Sequence, residues 1–372
     1  MFSNIRRARM RLGQLQRLAG VATVMAAALL PSAGHAGTIS TITANGYTFT
    51  NFDPTLTGTA VGSNVNGISN TGQVVGTTVN ANNTSTFSNF TGTPGNPTPI
   101  NTGAGQIALG INSAGDVVGG NGITAFVLPH NGVPQTLNVP GGATNAFGIN
   151  DHGVIVGQYS TGQATPGFIL AMNAVSAITI NATIGPNVVN AQGINNNGQV
   201  VGFYQGNDGQ THGFTVNQAN ANNNSVTGNT VADPVIPPVA GEPGAHFVFS
   251  QILGINDSGL AVGYYGDSTT SQHGFFYNTT DGMYTFLDDP AAAFSNGVEA
   301  TQITGINNAG EIAGFYTDAN GIAHSFTACP VGVVCPNGVA SVPEPTALSS
   351  IALGLGALGL CYRRRRASAV SR

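Results

Sequence analysis

The sequence predicts an all-β protein: a six-bladed β-propeller of four-stranded repeats closed by an N-terminal strand. Three observations predict it. One phrase, Gly-Ile-Asn-x-x-Gly-x-Val-Val-Gly, recurs six times with small variations. Each copy is followed by an aromatic segment, and most by a further short apolar one, which makes four strands per repeat. The chain is also rich in turn formers, with 53 Gly and 19 Pro among 372 residues, and only 7% of it is charged, against about 25% in an average domain.

The repeat cores lie at 67–76, 110–119, 148–157, 193–202, 254–263 and 305–314. They start 38 to 61 residues apart, so insertions fall between cores. Within each core, Asn-x-x-Gly sits between two apolar stretches. Asn opens a type I turn and Gly takes the left-handed position that ends it, which predicts a hairpin. The consecutive apolar pair, such as Ile155-Val156 or Val200-Val201, lacks the alternation of a half-exposed strand and predicts burial on both faces. The Gly after each pair, from Gly76 to Gly314, predicts close approach of a neighbouring strand.

The third strand is aromatic: His212-Gly213-Phe214, His273-Gly274-Phe275 and His324-Ser325-Phe326, with weaker forms at Phe126 and Phe168. The fourth is exemplified by Gln135–Val139 and Tyr284–Asp288. Tyr47-Thr48-Phe49 repeats the start of Tyr284-Thr285-Phe286, with no hairpin phrase before it, and the last unit lacks a fourth strand. Pairing residues 46–54 with the strand near 324–327 would therefore close a ring and remove exposed edges. The competing architecture is an open β-solenoid, which wants capped ends and more even repeats.

Charge excludes several functions. There is no Lys, and no Arg between Arg17 and Arg363, whereas all fifteen acids lie from Asp53 to Glu344. A body without permanent positive charge has nothing to set against nucleic-acid phosphates or an anionic lipid surface.

The two ends read as addresses, flanking a body at 37–340. Residues 1–36 combine a basic start, the apolar run Leu18–Leu30 and small residues before a cleavage position after Ala36, the pattern of a secretory signal. The other reading is an N-terminal anchor, for which a run of about 13 residues is short of the roughly 20 that span a bilayer. At the other end, Pro343-Glu344-Pro345 precedes the uncharged stretch Ala347–Tyr362 and the cluster Arg363, Arg364, Arg365 and Arg366. That order predicts a short transmembrane helix over 347–362, its arginines cytoplasmic and the Pro-Glu-Pro outside. A helix this short and glycine-containing suits a temporary stop better than a permanent anchor.

Motif, helix and basic cluster together resemble the PEP-CTERM sorting signal of Gram-negative bacteria over residues 341–366. The resemblance implies processing by exosortase, a membrane enzyme with a cysteine nucleophile. It also implies a surface or extracellular location after an inner-membrane intermediate, often in bacteria that make exopolysaccharide and biofilm. Pro343, Glu344 and Pro345 would then be recognised by another protein. Over residues 60–327 the repeat is similar to the extracellular HAF repeat, with His-Gly-Phe or His-Ser-Phe at 212–214, 273–275 and 324–326. That similarity implies an extracellular location and no defined activity.

Candidate chemistry is sparse. His212, His273 and His324 hold equivalent places, so either they converge on a metal at the axis or each bonds within its own unit. Asp208, Asp267 and Asp318 precede them in loops, and Asp151 and Asp257 follow a turn Asn. These carboxylates suit turn formation and an acidic surface, or else Ca²⁺; no cofactor is expected. Cys329 and Cys335, in an exported protein, are expected to form a disulfide, and Cys361 would leave with the tail. Gly-x-Ser-x-Gly, His-Glu-x-x-His and P-loop signatures are missing. The expectation is a non-enzymatic surface or matrix module associated with exopolysaccharide. The alternative is a secreted polysaccharide-acting hydrolase with its site built from loops of several blades.

Overall fold

The computed structural model describes residues 39–337, apart from 55–59, 81–82, 140, 163, 172–173, 181–187, 218–224, 237–243 and 294–298. Ala36 with its signal segment lies outside the described residues. So do Pro343, Glu344, Pro345, the apolar stretch 347–362 and Arg363 to Arg366. The described residues contain strands and turns, and no helix among them is long and apolar enough to cross a membrane.

The chain starts with a hairpin, β1 (Ser40–Ala44) and β2 (Tyr47–Phe52). The first unit follows as β3 (Ala60–Ile68), β4 (Val74–Asn80), β5 (Asn83–Thr93) and β6 (Asn96–Pro99). The second is β7 (Ile107–Ile111), β8 (Val117–Gly120), β9 (Ala125–Leu128) and β10 (Gln135–Thr136). The third is β11 (Ala143–Ile149), β12 (Ile155–Tyr159), β13 (Gly167–Ala171) and β14 (Ala174–Ile180). The fourth is β15 (Val189–Ile194), β16 (Gln199–Gln205), β17 (Thr211–Asn217) and β18 (Ser225–Thr230). The fifth is β19 (Phe247–Ile255), β20 (Leu260–Asp267), β21 (Gln272–Asn278) and β22 (Tyr284–Phe286). The sixth is β23 (Thr301–Ile306), β24 (Ile312–Thr317) and β25 (Ala323–Pro330), and its fourth strand is β2, antiparallel to β25 from Tyr47↔Pro330 to Phe52↔Ser325.

The hairpin phrase folds for the reason its residues suggest. Gly72, Gly115, Gly153, Gly198, Gly259 and Gly310 all have φ between 73° and 87°, a region that favours glycine. The turn Asn closes its own loop: Asn150 Oδ1 accepts from Val154 N at 2.9 Å, and Asn195 Oδ1 from Gln199 N at 2.9 Å. In the first unit Ser69 Oγ does the same for Gln73 N.

The consecutive apolar pairs feed cores on opposite faces. Val74 packs with Phe52, Val65, Phe90 and Ala313, while Val75 packs with Ala108, Val117 and Phe126 of the next unit. The same division holds for Val117 and Val118, Ile155 and Val156, Val200 and Val201, Ala261 and Val262, and Ile312 and Ala313. Six apolar clusters therefore lie between successive units, one of them between the sixth and the first. A residue with both neighbours buried must be apolar whichever way it points, which is why period-two alternation is lost.

One expectation needs correction. Six separate four-stranded sheets were expected, but the second, third and fourth units form one twelve-stranded sheet. Asn145 of β11 pairs with Gly120 of β8, and β14 runs parallel to β18 from Ala177↔Ser225 to Ile180↔Gly228. Both β14 and β18 are outermost strands, and pairing their free edges satisfies backbone groups that would otherwise face water.

Candidate functional site

In all six units the ladder between first and second strands carries a register shift at the same place, just before the Gly of Gly-Ile. In β3, Val65 pairs with Gly76 and Gly67 with Val75, which leaves Asn66 unpaired. A β-bulge re-aims the side chain it frees. The six freed residues, Asn66, Leu109, Phe147, Gln192, Leu253 and Thr304, all line one cavity of about 560 Å³. Two residues earlier on the same strands, Asn64, Asn145, Asn190 and Gln302 line it as well. All six units contribute to its wall.

The neighbouring Gly lets the first strands come this close together. A Cβ on Gly110 would lie 2.5 Å from Phe147 O, and one on Gly193 2.9 Å from Gly254 Cα. The series runs through Gly67, Gly110, Gly148, Gly193, Gly254 and Gly305, and a Cβ on Gly305 would lie 3.4 Å from Gly67 Cα.

One end of the cavity is lined by a ring of polar turn residues. Asn150 Nδ2 donates to Asn195 O at 3.0 Å, Asn195 Nδ2 to Asn256 O at 2.9 Å, Asn256 Nδ2 to Asn307 O at 3.2 Å, and Asn307 Nδ2 to Ser69 O at 3.4 Å. The next residue along forms a second ring of bonds. Ser113 N donates to Asp151 Oδ1, Asp151 N to Asn196 Oδ1, Asn196 N to Asp257 Oδ1, Asp257 N to Asn308 Oδ1, and Asn308 N to Asn70 Oδ1, at 2.7 to 2.9 Å. Asp151 Oδ2 also accepts from Asn70 and Asn196, and Asp257 Oδ2 from Asn196 and Asn308. Burial works against the Asp151 anion, yet the bonds from Ser113 N, Asn196 and Asn70 together hold its carboxyl below the ordinary value. The opposite end, where the first strands begin, meets solvent beside Gly105 and Ile123.

The three histidines do not converge. His212 lies between Asp233, 3.0 Å from Nδ1, and Asp208, 3.0 Å from Nε2. His273 Nδ1 is 2.8 Å from Asp288, with Asp267 at 3.9 Å from Nε2. His324 Nδ1 is 2.7 Å from Asp53, with Asp318 at 3.5 Å from Nε2. Each imidazole thus ties the Asp after a fourth strand to the Asp of the loop before its own strand. Burial opposes the imidazolium, but the paired carboxylates prevail and raise all three pKa values above the ordinary one. The loop carboxylates also cap turns: Asp318 Oδ1 accepts from Asn320 N and Ile322 N, and Asp267 Oδ1 from Thr269 N and Ser271 N. Among the described residues no group of three or more His, Cys, Asp or Glu is placed to hold a metal ion. Cys329 and Cys335 are joined by a disulfide at the end of β25. The bulged residues carry no motif and were missed by sequence reasoning; a signal existed, because they vary while the Gly-Ile beside them repeats.

Residues 341–366 match the family model of the PEP-CTERM protein-sorting motif. The motif marks an exported protein that is sorted to the cell surface by exosortase processing. No curated protein matches the chain. Among solved structures, the chain is similar to the β-propeller domain of the Trilobed protease from Pyrococcus furiosus, with 10% identity over 85% of this chain and 99% of that one and a TM-score of 0.41. It is similar to streptogramin B lyase at 8% identity, over 76% and 97% of the two chains, with a TM-score of 0.39. It is also similar to the six-bladed lectin of Aleuria aurantia at 12% identity, over 80% and 90%, with a TM-score of 0.28.

Proposed function

We propose that the chain is an exported surface module: a closed six-bladed β-propeller of HAF-type repeats, held non-enzymatically in an exopolysaccharide or biofilm layer. The match at 341–366 carries the reading. Closure is supported by β2 on β25, by the apolar cluster between the sixth and first units, and by the Asn307–Ser69 and Asn308–Asn70 bonds. In this reading the apolar stretch 347–362 holds the protein briefly at the inner membrane, until exosortase cuts near 343–346 and frees the body. Replacing Glu344 by Ala, or the four arginines by Ser, then leaves uncut protein in the inner membrane. Mass spectrometry of the surface fraction tests the processing, and finding peptides across Leu348–Tyr362 in mature protein there would refute it. Co-sedimentation of the body with the producing cell's polysaccharide tests the binding role.

A second reading, the polysaccharide-acting hydrolase, has one observation in its favour. Asn196 Nδ2 bonds both Asp151 Oδ2 at 3.0 Å and Asp257 Oδ2 at 3.1 Å, so the two oxygens lie within about 6 Å, near the separation used in retaining glycoside hydrolysis. Against it, both carboxylates are fully engaged by N–H donors, and Asp151 is shifted away from the raised value a general acid needs. Release of reducing ends by the wild type that Asp151→Asn and Asp257→Asn abolish would establish the hydrolase.

A further inference from the structure

Within the hairpin core the units repeat the Gly-Ile and the turn glycine, but not the bulged residue that faces the cavity. Gly-Ile before each turn is invariant across the units, yet the bulged residue just before it is Asn, Leu, Phe, Gln, Leu or Thr. A wall that only had to fill space around a sixfold axis would repeat with the units. Divergence at these facing positions makes an asymmetric surface, which can match an asymmetric ligand.

The chemistry of that surface narrows the ligand. Asn64, Asn145, Asn190, Gln192 and Gln302 put amides on the wall. Asn145 Oδ1 already accepts from Gly122 N and Gln302 Nε2 already donates to Gln272 Oε1, and the remaining amide groups match hydroxyls that both donate and accept. Gln192 is 8% exposed, and its Nε2 has no hydrogen-bond partner among the described residues; neither has Asn64 Oδ1. A buried polar atom left without a partner is costly, and a ligand or water must meet it. Phe147, Tyr264 and Phe315 add ring surface to the same wall. No Lys or Arg lies between Arg17 and Arg363, and the carboxylates on the wall are those of Asp151 and Asp257 in the polar ring. An anionic ligand would find no counter-charge there and two like charges in the polar ring.

We propose that the axial cavity binds a neutral glycan segment, entering from the end beside Gly105 and Ile123 and hydrogen-bonding Gln192 and Asn64. This deepens the surface-module reading and rests on it for the source of the glycan.

Titration calorimetry of the full chain in mild detergent tests it, with neutral trisaccharides of glucose, galactose and mannose and with an acidic oligogalacturonate as probes. Gln192→Leu and Asn64→Ile are the variants, because Leu109, Leu253 and Ile107 already hold the equivalent places. At least one neutral probe should bind, and the acidic one should not. Each variant should weaken binding by about tenfold with an unchanged melting temperature. Co-sedimentation with the cell's polysaccharide should fall in parallel. Should either variant unfold, Ile123→Trp replaces it: the chain has no Trp, Ile123 is 76% exposed at the rim, and its emission should shift on binding. Full-strength binding by folded variants, or an unmoved Trp signal, would place the glycan elsewhere and leave the surface-module reading standing. Preference for the acidic probe would overturn the ligand class. Absence of both probe binding and co-sedimentation would overturn the cavity proposal and the surface-module reading together.

Discussion

Glu311 shows most clearly how a single residue can set the pH response of this fold. It is 1% exposed, and burial pushes its carboxyl up to about 7 against the bond from Asn307 Nδ2. At the same place in the fourth unit, Gln199 accepts the same bond from Asn195 at 2.8 Å without a charge. Glu311→Gln should therefore fold normally and gain about 1–3 kcal/mol at pH 8, with little change at pH 4; denaturant midpoints at the two pH values check it. Asp289, pushed up to about 6 by burial, and the three histidines, raised by their paired carboxylates against burial, act with the same sign. A raised folded-state pKa contributes stability that is complete below the unfolded value and is lost as pH rises through the folded one. Asp151, Asp208 and Asp318 are lowered, so their contribution is lost as pH falls through their folded values. The melting temperature should consequently be highest at about pH 4, between the windows of the lowered and the raised groups, and decline through pH 8; a flat profile from pH 5 to 8 would show these groups to be unshifted.

The informative element is β2. Phe49 is 0% exposed and packs with Ile303, Ile312 and Phe326, while Phe52 joins the cluster between the sixth and first units. Phe49→Ala should cost about 3–5 kcal/mol, read from denaturant unfolding. Deleting 37–54 should do more, because it also uncovers the edge of β25 and leaves Asp289 and His324 without Asn51 and Asp53. The hairpin phrase made the first and second strands legible, because its Asn and Gly have backbone roles that other residues fill poorly. The match between Tyr47-Thr48-Phe49 and Tyr284-Thr285-Phe286 made β2 legible. The lateral joining of β14 to β18 was not, since edge pairing depends on how two outer strands happen to lie and leaves no residue signature. Nor was the bulge: it repeats as a position and not as a residue, so a search for recurring letters passes over it. Asp151 and Asp257 were visible as turn residues, but their meeting through Asn196 needed the third dimension.

For the molecule as a whole, the sorting motif and the six repeated units are carried by separate stretches of sequence. The tail carries the sorting motif; the six units bring the freed side chains of their first strands around one cavity. The disulfide ties the end of β25 beside its pairing with β2, and Cys329→Ser with Cys335→Ser should lower stability by about 2 kcal/mol, seen as a lower melting temperature without reductant. Closure is the claim on which cavity and function both depend, and hydrogen exchange of the amides of Tyr47–Phe52 tests it most directly. A closed ring predicts that these amides exchange as slowly as those of the paired strand over Ser325–Cys329, both opening only with global unfolding. Exchange of 47–52 at loop rates beside a protected 325–329 would contradict it.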